Sequence, residues 1–283
     1  MSYLFVLLQY LLPHHLLSNL VGYFAQKSFL KNFFIRSFIR YYKVDMNEAL
    51  LSDPSDYPNF NAFFTRELKL GTRPIPAEQN IVVCPVDGEI SAIGSIQNDK
   101  LLQAKSREFN LRDLLAGDET LAKEFLDGCF ATVYLSPRDY HRVHLPLAGS
   151  LIKTIYIPGR LFSVNKMTTD SVSNLFARNE RIICIFSTKM GTMCVILVGA
   201  LIVSGIEMVW ANQIAPKSKK YSIIIKDYNN HQPPIKLSTG AEIGRFKLGS
   251  TAIALFPRGK IKLEDSLKVS SQVRMGQILG KIL

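Results

Sequence analysis

Short apolar segments separated by turn residues dominate the chain from Ile81 onward and set the main constraint on its fold. Segments of this length that are rich in Val, Ile and Phe are typical of β-strands. We predict strands at 81–83, 90–96, 130–135, 151–157, 181–187, 193–203 and 251–256. Helical patterns interrupt them at 111–116 and 118–125, and 216–240 reads as a long loop containing a short strand at 221–225. The pattern therefore predicts an α+β chain with a mainly β body.

The N-terminal segment has a different character. No acidic residue occurs before Asp45, whereas five Lys and Arg residues lie there among large apolar side chains. On a helical wheel the apolar face carries Leu30, Phe33, Phe34, Phe38 and Tyr41, and the opposite face carries Asn32, Arg36, Arg40 and Lys43. This pattern is typical of a helix that lies at a membrane surface, although such helices also cover the cores of other proteins.

A connector between the two regions is marked by dipeptides in which proline is the second residue, the last of them in Arg73-Pro74-Ile75-Pro76. We therefore divide the chain into a helical, amphipathic membrane-associating element with its connector at 1–76 and a β-rich catalytic domain at 77–283. The apolar run at 4–12 is shorter than the roughly 20 residues that a spanning helix needs. It also lacks a basic start and a small-residue cleavage site, so we do not expect a removable signal peptide.

The formal net charge of +11 implies an anionic partner. Acidic lipid fits better than nucleic acid, because the basic residues join no nucleic-acid reading motif and the aromatics form one apolar face. Four cysteines, Cys84, Cys129, Cys184 and Cys194, lie in apolar runs without a C-x-x-C pair. We expect them to be reduced core thiols, and we expect no structural metal site.

The bond between Gly249 and Ser250 is the chemically most informative point of the chain. A serine hydroxyl held against the preceding carbonyl in a strained turn can shift the acyl group from nitrogen to oxygen, and a preceding glycine removes the Cβ that would block this approach. Elimination from the resulting ester leaves dehydroalanine, which hydrolyses to a pyruvoyl group and ammonia. A pyruvoyl group is an electron sink for amine substrates. The same tripeptide also occurs as an ordinary turn.

Three further residues are candidates for activating Ser250. His141 and His144 follow a predicted strand in Tyr140-His141-Arg142-Val143-His144, and Asp87 lies in Pro85-Val86-Asp87-Gly88. An imidazole oriented by a carboxylate can take the proton of a serine hydroxyl. The histidines are equally compatible with structural hydrogen bonding, and Asp-Gly is also a common turn signal.

Two segments, at 85–90 and at 273–280, resemble the hammerhead half-motifs of lipoyl and biotinyl carriers. Those carriers attach their cofactor to a lysine in a tight hairpin, and this chain has no such hairpin. The likeness therefore predicts a body of barrel-sandwich type without predicting a carrier function.

In combination, these motifs identify the chain as similar to phosphatidylserine decarboxylases of the bacterial, membrane-associated type. The motifs that carry the resemblance are 61–66, 71–75, 85–88, 140–144, 161–165, 174–181 and 248–251. They occur in family order and cover nearly the whole chain. Two departures stand near the middle, where the family usually has Lys-Gly and a tyrosine and this chain has Lys105-Ser106 and Phe109.

The resemblance implies a self-processing enzyme. Asp87 orients His144, which deprotonates Ser250 for attack on the Gly249 carbonyl, and cleavage gives a β chain of residues 1–249 and an α chain of residues 250–283. The α chain begins with a pyruvoyl group made from Ser250, the covalent pyruvate cofactor. This group forms a Schiff base with phosphatidylserine, which loses CO2 and is released as phosphatidylethanolamine. His141 manages the decarboxylation and protonation steps.

The resemblance also implies that the β and α chains form a heterodimer, that these associate into a higher homo-oligomer, and that the enzyme is peripheral at the cytoplasmic side of the cell membrane. Two readings from other classes remain. One is a phosphocarrier that accepts a phosphoryl group on His141 or His144, and it leaves the basic N-terminus unexplained. The other is a serine hydrolase, for which the G-x-S-x-G motif is absent.

Overall fold

The computed structural model describes residues 7, 9–104, 107–201, 205–215 and 222–283. Its helices are α1 (His14–Ala25), α2 (Lys31–Tyr42), a 3-10 turn (Pro54–Asp56), α3 (Phe60–Phe64), α4 (Leu111–Leu114), α5 (Glu119–Phe125), α6 (Lys166–Ser171) and α7 (Leu175–Arg178). Several of the short helices begin at a capping side chain: Asn59, Asn110, Asp118 and Asn165 each accept a hydrogen bond from a backbone N–H in the first turn.

The strands of the described residues are more numerous than the helices. They are β1 (Ile81–Val83), β2 (Gly88–Ser95), β3 (Lys100–Ala104), β4 (Arg107–Asn110), β5 (Cys129–Leu135), β6 (Arg142–His144), β7 (Gly149–Ile157), β8 (Arg181–Thr188), β9 (Gly191–Gly199), β10 (Gly205–Met208), β11 (Asn212–Ala215), β12 (Ile224–Asp227), β13 (Lys236–Leu237), β14 (Glu242–Lys247), β15 (Ser250–Phe256), β16 (Ile261–Leu263), β17 (Gln272–Val273) and β18 (Ile278–Ile282).

A nine-stranded sheet forms the centre of the described structure. Its main path runs β12-β7-β8-β9-β15-β5-β2-β17, and β13 also pairs with β7. Smaller sheets are β11-β10-β14-β6, β1-β18-β16 and β3-β4. All of the strand pairings within these sheets are antiparallel, which agrees with the short segments and frequent turns of the sequence.

Strand β15 shows why the central sheet is stable. Every one of its residues is buried, because alternate side chains enter two different cores. Ala252, Ala254 and Phe256 pack into the core beneath the two smaller sheets that contain β6 and β18. Ile253 and Leu255 pack on the opposite face, against a core that the helices α4, α5 and α7 cover. A strand buried on both faces must be a continuous apolar run, which is the pattern that predicted it.

The N-terminal helices pack on the β body but keep much apolar surface exposed. Ile35 of α2 is fully buried with Val44, Tyr57 and Phe63, whereas Phe33 is 65% exposed. Phe38, which we placed on the exposed apolar face, instead contacts the rings of α3. Helix α2 therefore has two apolar sides, one packed in the core and one exposed at the surface.

The prediction of a mainly β chain with helices is confirmed. Within the loop expected at 216–240, the short strand predicted at 221–225 overlaps β12, which begins at Ile224, whereas β13 was not predicted; both strands pair with β7. The predicted strand at 193–203 ends earlier, at Gly199, and residues 202–204 lie outside the described residues. Lys105 and Ser106 also lie outside the described residues.

No helix in the described part of the chain combines the length and the apolar character required to cross a membrane.

Candidate active site

One end of the central sheet gathers the residues that the sequence singled out. Ser250 begins β15 and lies opposite Leu135, the last residue of β5, and opposite Gly199, the last residue of β9. Asp87 immediately precedes β2, which pairs with β5 at this same end. Antiparallel pairing alternates strand ends, so segments far apart in sequence meet here.

The chain turns sharply just before Ser250. Leu248 and Gly249 have positive φ angles of 77° and 65°. Glycine adopts this left-handed conformation without cost, but for a leucine it stores strain of about 1–3 kcal/mol. The strain is thus stored at Leu248, in the sharp turn that leads into the serine, which is the condition under which an acyl shift is favoured.

The Ser250 hydroxyl is fully buried, and its Oγ has no hydrogen-bond partner among the described residues. A buried hydroxyl without a partner costs free energy, so its presence requires a reason. Thr251 has the same property at its Oγ1. Ser250 therefore follows a strained turn, and its hydroxyl oxygen makes no hydrogen bond to the described residues.

His141 is also fully buried, and its ring lies 4.0 Å, centroid to centroid, from that of Phe64. Its Nδ1 lies 2.8 Å from the Asp139 carbonyl, which only accepts, so Nδ1 carries the proton. Nε2 then holds the lone pair and has no partner among the described residues. Burial lowers the pKa of His141 to about 3, so the imidazole is uncharged at neutral pH.

His144 lies further along the same segment. Its Nδ1 is 2.8 Å from the Gly240 carbonyl, which again places the proton on Nδ1, and its Nε2 is 3.1 Å from the Tyr140 hydroxyl. That hydroxyl therefore donates to the lone pair of Nε2. Burial lowers the pKa of His144, and the nearby charges of Glu242 and Asp87 oppose this change.

Asp87 is held by other groups. Its carboxylate accepts from Nε of Arg73 at 2.9 Å, from Nη2 of the same guanidinium, and from the Met275 backbone N–H at 2.8 Å. Between the described atoms of Asp87 and His144 there is neither a hydrogen bond nor an ion pair. The direct carboxylate–imidazole contact that we expected is thus not formed, although both residues lie at the same end of the fold.

Sequence reasoning missed two residues of this site. Arg73 binds both Asp87 and Glu48, and Tyr140 caps His144. Both lie within segments that we matched to the family, at 71–75 and 140–144, but neither had been given a role. Pairing between distant side chains leaves no periodic signal in the sequence, which is why only their membership of these segments could have drawn attention to them.

An apolar cavity of about 610 Å³ opens between the N-terminal helices and the turn at Leu248. Its wall includes Phe24 of α1, Phe34 of α2, Phe60 of α3 and Leu248. Leu248 also packs on Phe64, which carries the apolar surface to His141. The cavity thus connects the exposed N-terminal helices with the residue next to the Gly249–Ser250 bond.

Comparison with known proteins shows the family of the chain. A family model described as phosphatidylserine decarboxylase matches residues 60–281, and a second, described as PSD, matches residues 4–43. A relative from Ectopseudomonas mendocina, named phosphatidylserine decarboxylase proenzyme, is 52% identical over 98% of this chain and 97% of its own length. Relatives of the same name from Pseudomonas aeruginosa and Saccharophagus degradans are 52% and 50% identical, covering 98% and 99% of this chain and 96% and 97% of their own lengths. The chain therefore belongs to the phosphatidylserine decarboxylase family.

Proposed function

We propose that this protein is made as a proenzyme, cleaves itself between Gly249 and Ser250, and decarboxylates phosphatidylserine to phosphatidylethanolamine with a pyruvoyl group derived from Ser250. The observation that carries the proposal is the buried Ser250 Oγ, which has no hydrogen-bond partner among the described residues and directly follows two residues of positive φ. Family membership and the word proenzyme in the names of the relatives support it.

The cleavage step needs only groups of this chain. The Ser250 hydroxyl proton passes to an imidazole nitrogen, Oγ bonds to the Gly249 carbonyl carbon, and the C–N bond breaks as the amide nitrogen takes up a proton. Loss of the Ser250 α-proton then expels the Gly249 carboxylate from Cβ, and hydrolysis of the resulting dehydroalanine releases ammonia. The strain stored at Leu248 is relieved when the bond opens.

We assign the base of this step to His144, as the family resemblance implies. Its Nδ1–H is fixed by Gly240, so Nε2 bears the lone pair that a base requires. Tyr140 occupies that lone pair, and its hydroxyl has to turn away before proton transfer. Asp87 acts on His144 through its charge across the site, because its own hydrogen bonds go to Arg73 and Met275.

In the processed enzyme, the pyruvoyl group supplies the electron sink that a decarboxylation requires. The residues present fit such a group, since position 250 is a strand end enclosed by β5 and β9 with no committed polar contact. We assign the proton exchange at this position to Nε2 of His141, whose neutral imidazole has no partner at that nitrogen among the described residues. The buried surroundings exclude water from the reacting carbon.

The two chains are proposed to stay together after cleavage. Strand β15, the first element of the α chain, hydrogen-bonds to β5 and β9 of the β chain along its length. A further association of these heterodimers into a homo-oligomer remains part of the proposal.

The finer architecture and location belong to the same proposal. The two half-motifs are neighbours: Val273 pairs with Gly88, and Cys84 exchanges backbone hydrogen bonds with the 276–277 turn, as a barrel-sandwich body requires. We propose a membrane-associating element at 1–76 and a catalytic domain at 77–283. The element binds anionic lipid from the cytoplasmic side, with Phe29 and Phe33 exposed to enter the acyl region.

The test is intact-mass analysis of the purified protein together with an assay for CO2 release from phosphatidylserine. We expect a fragment of residues 250–283 whose N-terminus carries a carbonyl in place of an amine and resists Edman degradation. Reduction with cyanoborohydride in the presence of phosphatidylserine should attach a lipid amine to this fragment. A chain that stays whole yet releases CO2 would contradict the proposed cofactor, and a cleaved chain without CO2 release would contradict the proposed reaction.

A further inference from the structure

Arg66 is a buried cation with most of its hydrogen-bonding capacity unused. The residue is only 4% exposed, and its Nε and Nη1 have no hydrogen-bond partner among the described residues. Nη2 donates to the Arg138 carbonyl at 2.9 Å, and the described residues provide no carboxylate in ion-pair contact with the guanidinium. Burial lowers the pKa of Arg66, and the charges of Asp87, Asp139 and Glu48 act against this change without forming an ion pair with the guanidinium among the described residues.

In two other buried arginines of the described chain, every side-chain nitrogen donates a hydrogen bond. They serve as the reference for an arginine with a structural role in this protein. Arg181 donates from Nε, Nη1 and Nη2 to backbone carbonyls, including that of Leu114 at 2.8 Å. Arg142 binds Thr65 through Nε and two glutamates through its other nitrogens. Arg66 therefore differs from both by its unused donors, and packing alone does not account for it.

The position of Arg66 places these donors beside the proposed catalytic residues. The Asp139 carbonyl that accepts from Nδ1 of His141 also lies 3.4 Å from Nη2 of Arg66. Arg66 lines a polar cavity of about 480 Å³ together with Asp87 and Tyr140. The cavity thus joins the guanidinium to the groups around His144.

The other charges of this cavity largely neutralise one another. Arg73 binds Asp87 and Glu48, and Arg274 binds Glu48 at 2.9 Å. Asp139 accepts from both the backbone N–H and the hydroxyl of Ser136. Arg138 lies 3.9 Å from Asp139, and Lys43 and Asp45 both line the cavity, so that with Arg66 the lining carries an excess of one positive charge, which suits an anion.

We propose that Arg66 binds the phosphodiester of the phospholipid headgroup and so sets the distance between the headgroup and residue 250. This inference rests on the proposed function. A guanidinium matches phosphate oxygens in geometry and charge, and the interaction strengthens where water is excluded.

The phosphodiester is favoured over the substrate carboxylate for a mechanistic reason. Decarboxylation moves the negative charge of the carboxylate into the electron sink, so a cation fixed on the carboxylate would stabilise the ground state more than the transition state. The phosphodiester keeps its charge from substrate to product. A cation bound to it holds the lipid without opposing the chemistry.

The experiment compares Arg66→Gln and Arg66→Lys with the wild type, using a short-chain, water-soluble phosphatidylserine. Each variant is first checked for the fragment of residues 250–283, so that only processed enzyme is assayed. We expect Arg66→Gln to raise KM roughly 10- to 100-fold with a much smaller change in kcat, because it removes a charged hydrogen-bonding partner. Arg66→Lys, which keeps the charge, should recover part of the loss. Arg258→Gln, at an arginine 76% exposed at the opposite end of the sheet, is the matched control with unchanged KM.

Glycerophosphoethanolamine, which has the phosphodiester but no carboxylate, identifies the group that is bound. It should inhibit the wild type and inhibit Arg66→Gln at least 10-fold more weakly; equal inhibition of both would assign Arg66 to the carboxylate and overturn the proposal. An unchanged KM in processed Arg66→Gln would overturn it as well, whereas a wild type that releases no CO2 would instead refute the proposed function.

The unfolding temperature distinguishes a ligand-binding role of Arg66 from a structural role. Arg66→Met removes an uncompensated buried charge and should leave the unfolding temperature near that of the wild type. Arg181→Met breaks a fully bonded arginine and should lower it clearly. A loss of stability in Arg66→Met as large as that in Arg181→Met would mark Arg66 as a structural residue.

Discussion

Ser250 and Gly199 lie directly opposite each other in the antiparallel pair of β15 and β9. The Gly199 carbonyl accepts a hydrogen bond from the Asn179 side chain, which also binds the backbone of Phe162. The neighbouring residues Gly159 and Leu161 are contacted in turn by the histidines at the start of α1. The strand end that carries the proposed cleavage site and the N-terminal helices therefore share one support, the segment 159–162.

Replacing Ser250 by Ala should leave one full-length, inactive chain, because alanine has no hydroxyl to begin the acyl shift. Ser250→Cys should cleave slowly at best, since a thiol can perform the shift in a site shaped for a hydroxyl. Denaturing gels and intact mass measure both. Thr251→Val is the matched control at the next buried hydroxyl, and we expect its fragment of residues 250–283 to appear. Appearance of that fragment from Ser250→Ala would exclude self-cleavage by this serine.

The two histidines should separate processing from turnover. His144→Ala is expected to block cleavage, and His141→Ala is expected to cleave but to lose decarboxylation. General-base contributions of roughly 10²- to 10⁴-fold make both effects measurable by fragment appearance and CO2 release. The reverse pattern would assign the base to His141, whose Nε2 is the unpartnered one.

Tyr140→Phe should process at least as fast as the wild type. The substitution removes the hydroxyl that donates to Nε2 of His144 and leaves the lone pair free. Cell-free synthesis followed over time on gels gives the rate of fragment appearance. Tyr228→Phe, at another buried tyrosine, controls for the loss of a phenol. A rate reduced more than about tenfold would show that the Tyr140 hydroxyl takes part in proton transfer.

Membrane binding is best tested with point variants. Deleting residues 1–43 would also remove the fully buried Ile35 and so damage the core. The double variant Phe29→Ser and Phe33→Ser should reduce binding to anionic vesicles at least tenfold, because each buried phenylalanine contributes about 1.5–3 kcal/mol. Sedimentation at several salt concentrations measures this. Ile225→Ser with Val269→Ser, which changes exposed apolar residues of the β body, should bind like the wild type. If the first pair bound normally, the lipid contact would lie elsewhere.

Glu180 should make stability depend on pH. The side chain is 3% exposed, and burial raises its pKa from the ordinary 4.5 to about 7, opposed by a hydrogen bond from Tyr156. Between pH 4.5 and 7 the folded chain keeps a proton that the unfolded chain has released, so the free energy of unfolding falls as pH rises through this window. Each tenfold difference in proton affinity between the folded and unfolded chain corresponds to about 1.4 kcal/mol.

Glu180→Gln, neutral at every pH, should therefore be more stable than the wild type at pH 8 by up to about 3 kcal/mol, and the difference should vanish near pH 4.5. Urea unfolding in a Ser250→Ala background keeps a single chain for the measurement. Glu119→Gln changes an exposed glutamate and should show no such pH-dependent difference. A constant difference between pH 5 and 8 for Glu180→Gln would contradict the raised pKa.

The sequence predicted the β body because burial imposes its pattern directly on the residues. The strand at 81–83 was predicted to the residue, and the segments at 130–135, 181–187 and 251–256 are each one residue shorter than the observed strands. The strand predicted at 221–225 matches β12 only in part, and β13 was missed; both are short, and β12 is exposed throughout. Exposed edge strands lack the apolar alternation on which such predictions depend.

The sequence alone determined the family, the Gly249–Ser250 bond as the candidate cleavage point and the set of candidate residues, since each of these is carried by neighbouring residues in the chain, whereas the strain at Leu248 is seen only in the structure. Only the tertiary structure decided which of these side chains contact one another. Asp87 binds Arg73 rather than His144, Tyr140 caps His144, and Arg66 is buried without an ion pair to any described carboxylate. These relationships join residues from different strands and loops, and hydrogen bonds between distant side chains leave no periodicity in the sequence. The residues proposed for the chemistry can thus be recognised from short segments of the sequence. The charges and hydrogen bonds around them depend on the antiparallel packing that brings the strand ends together.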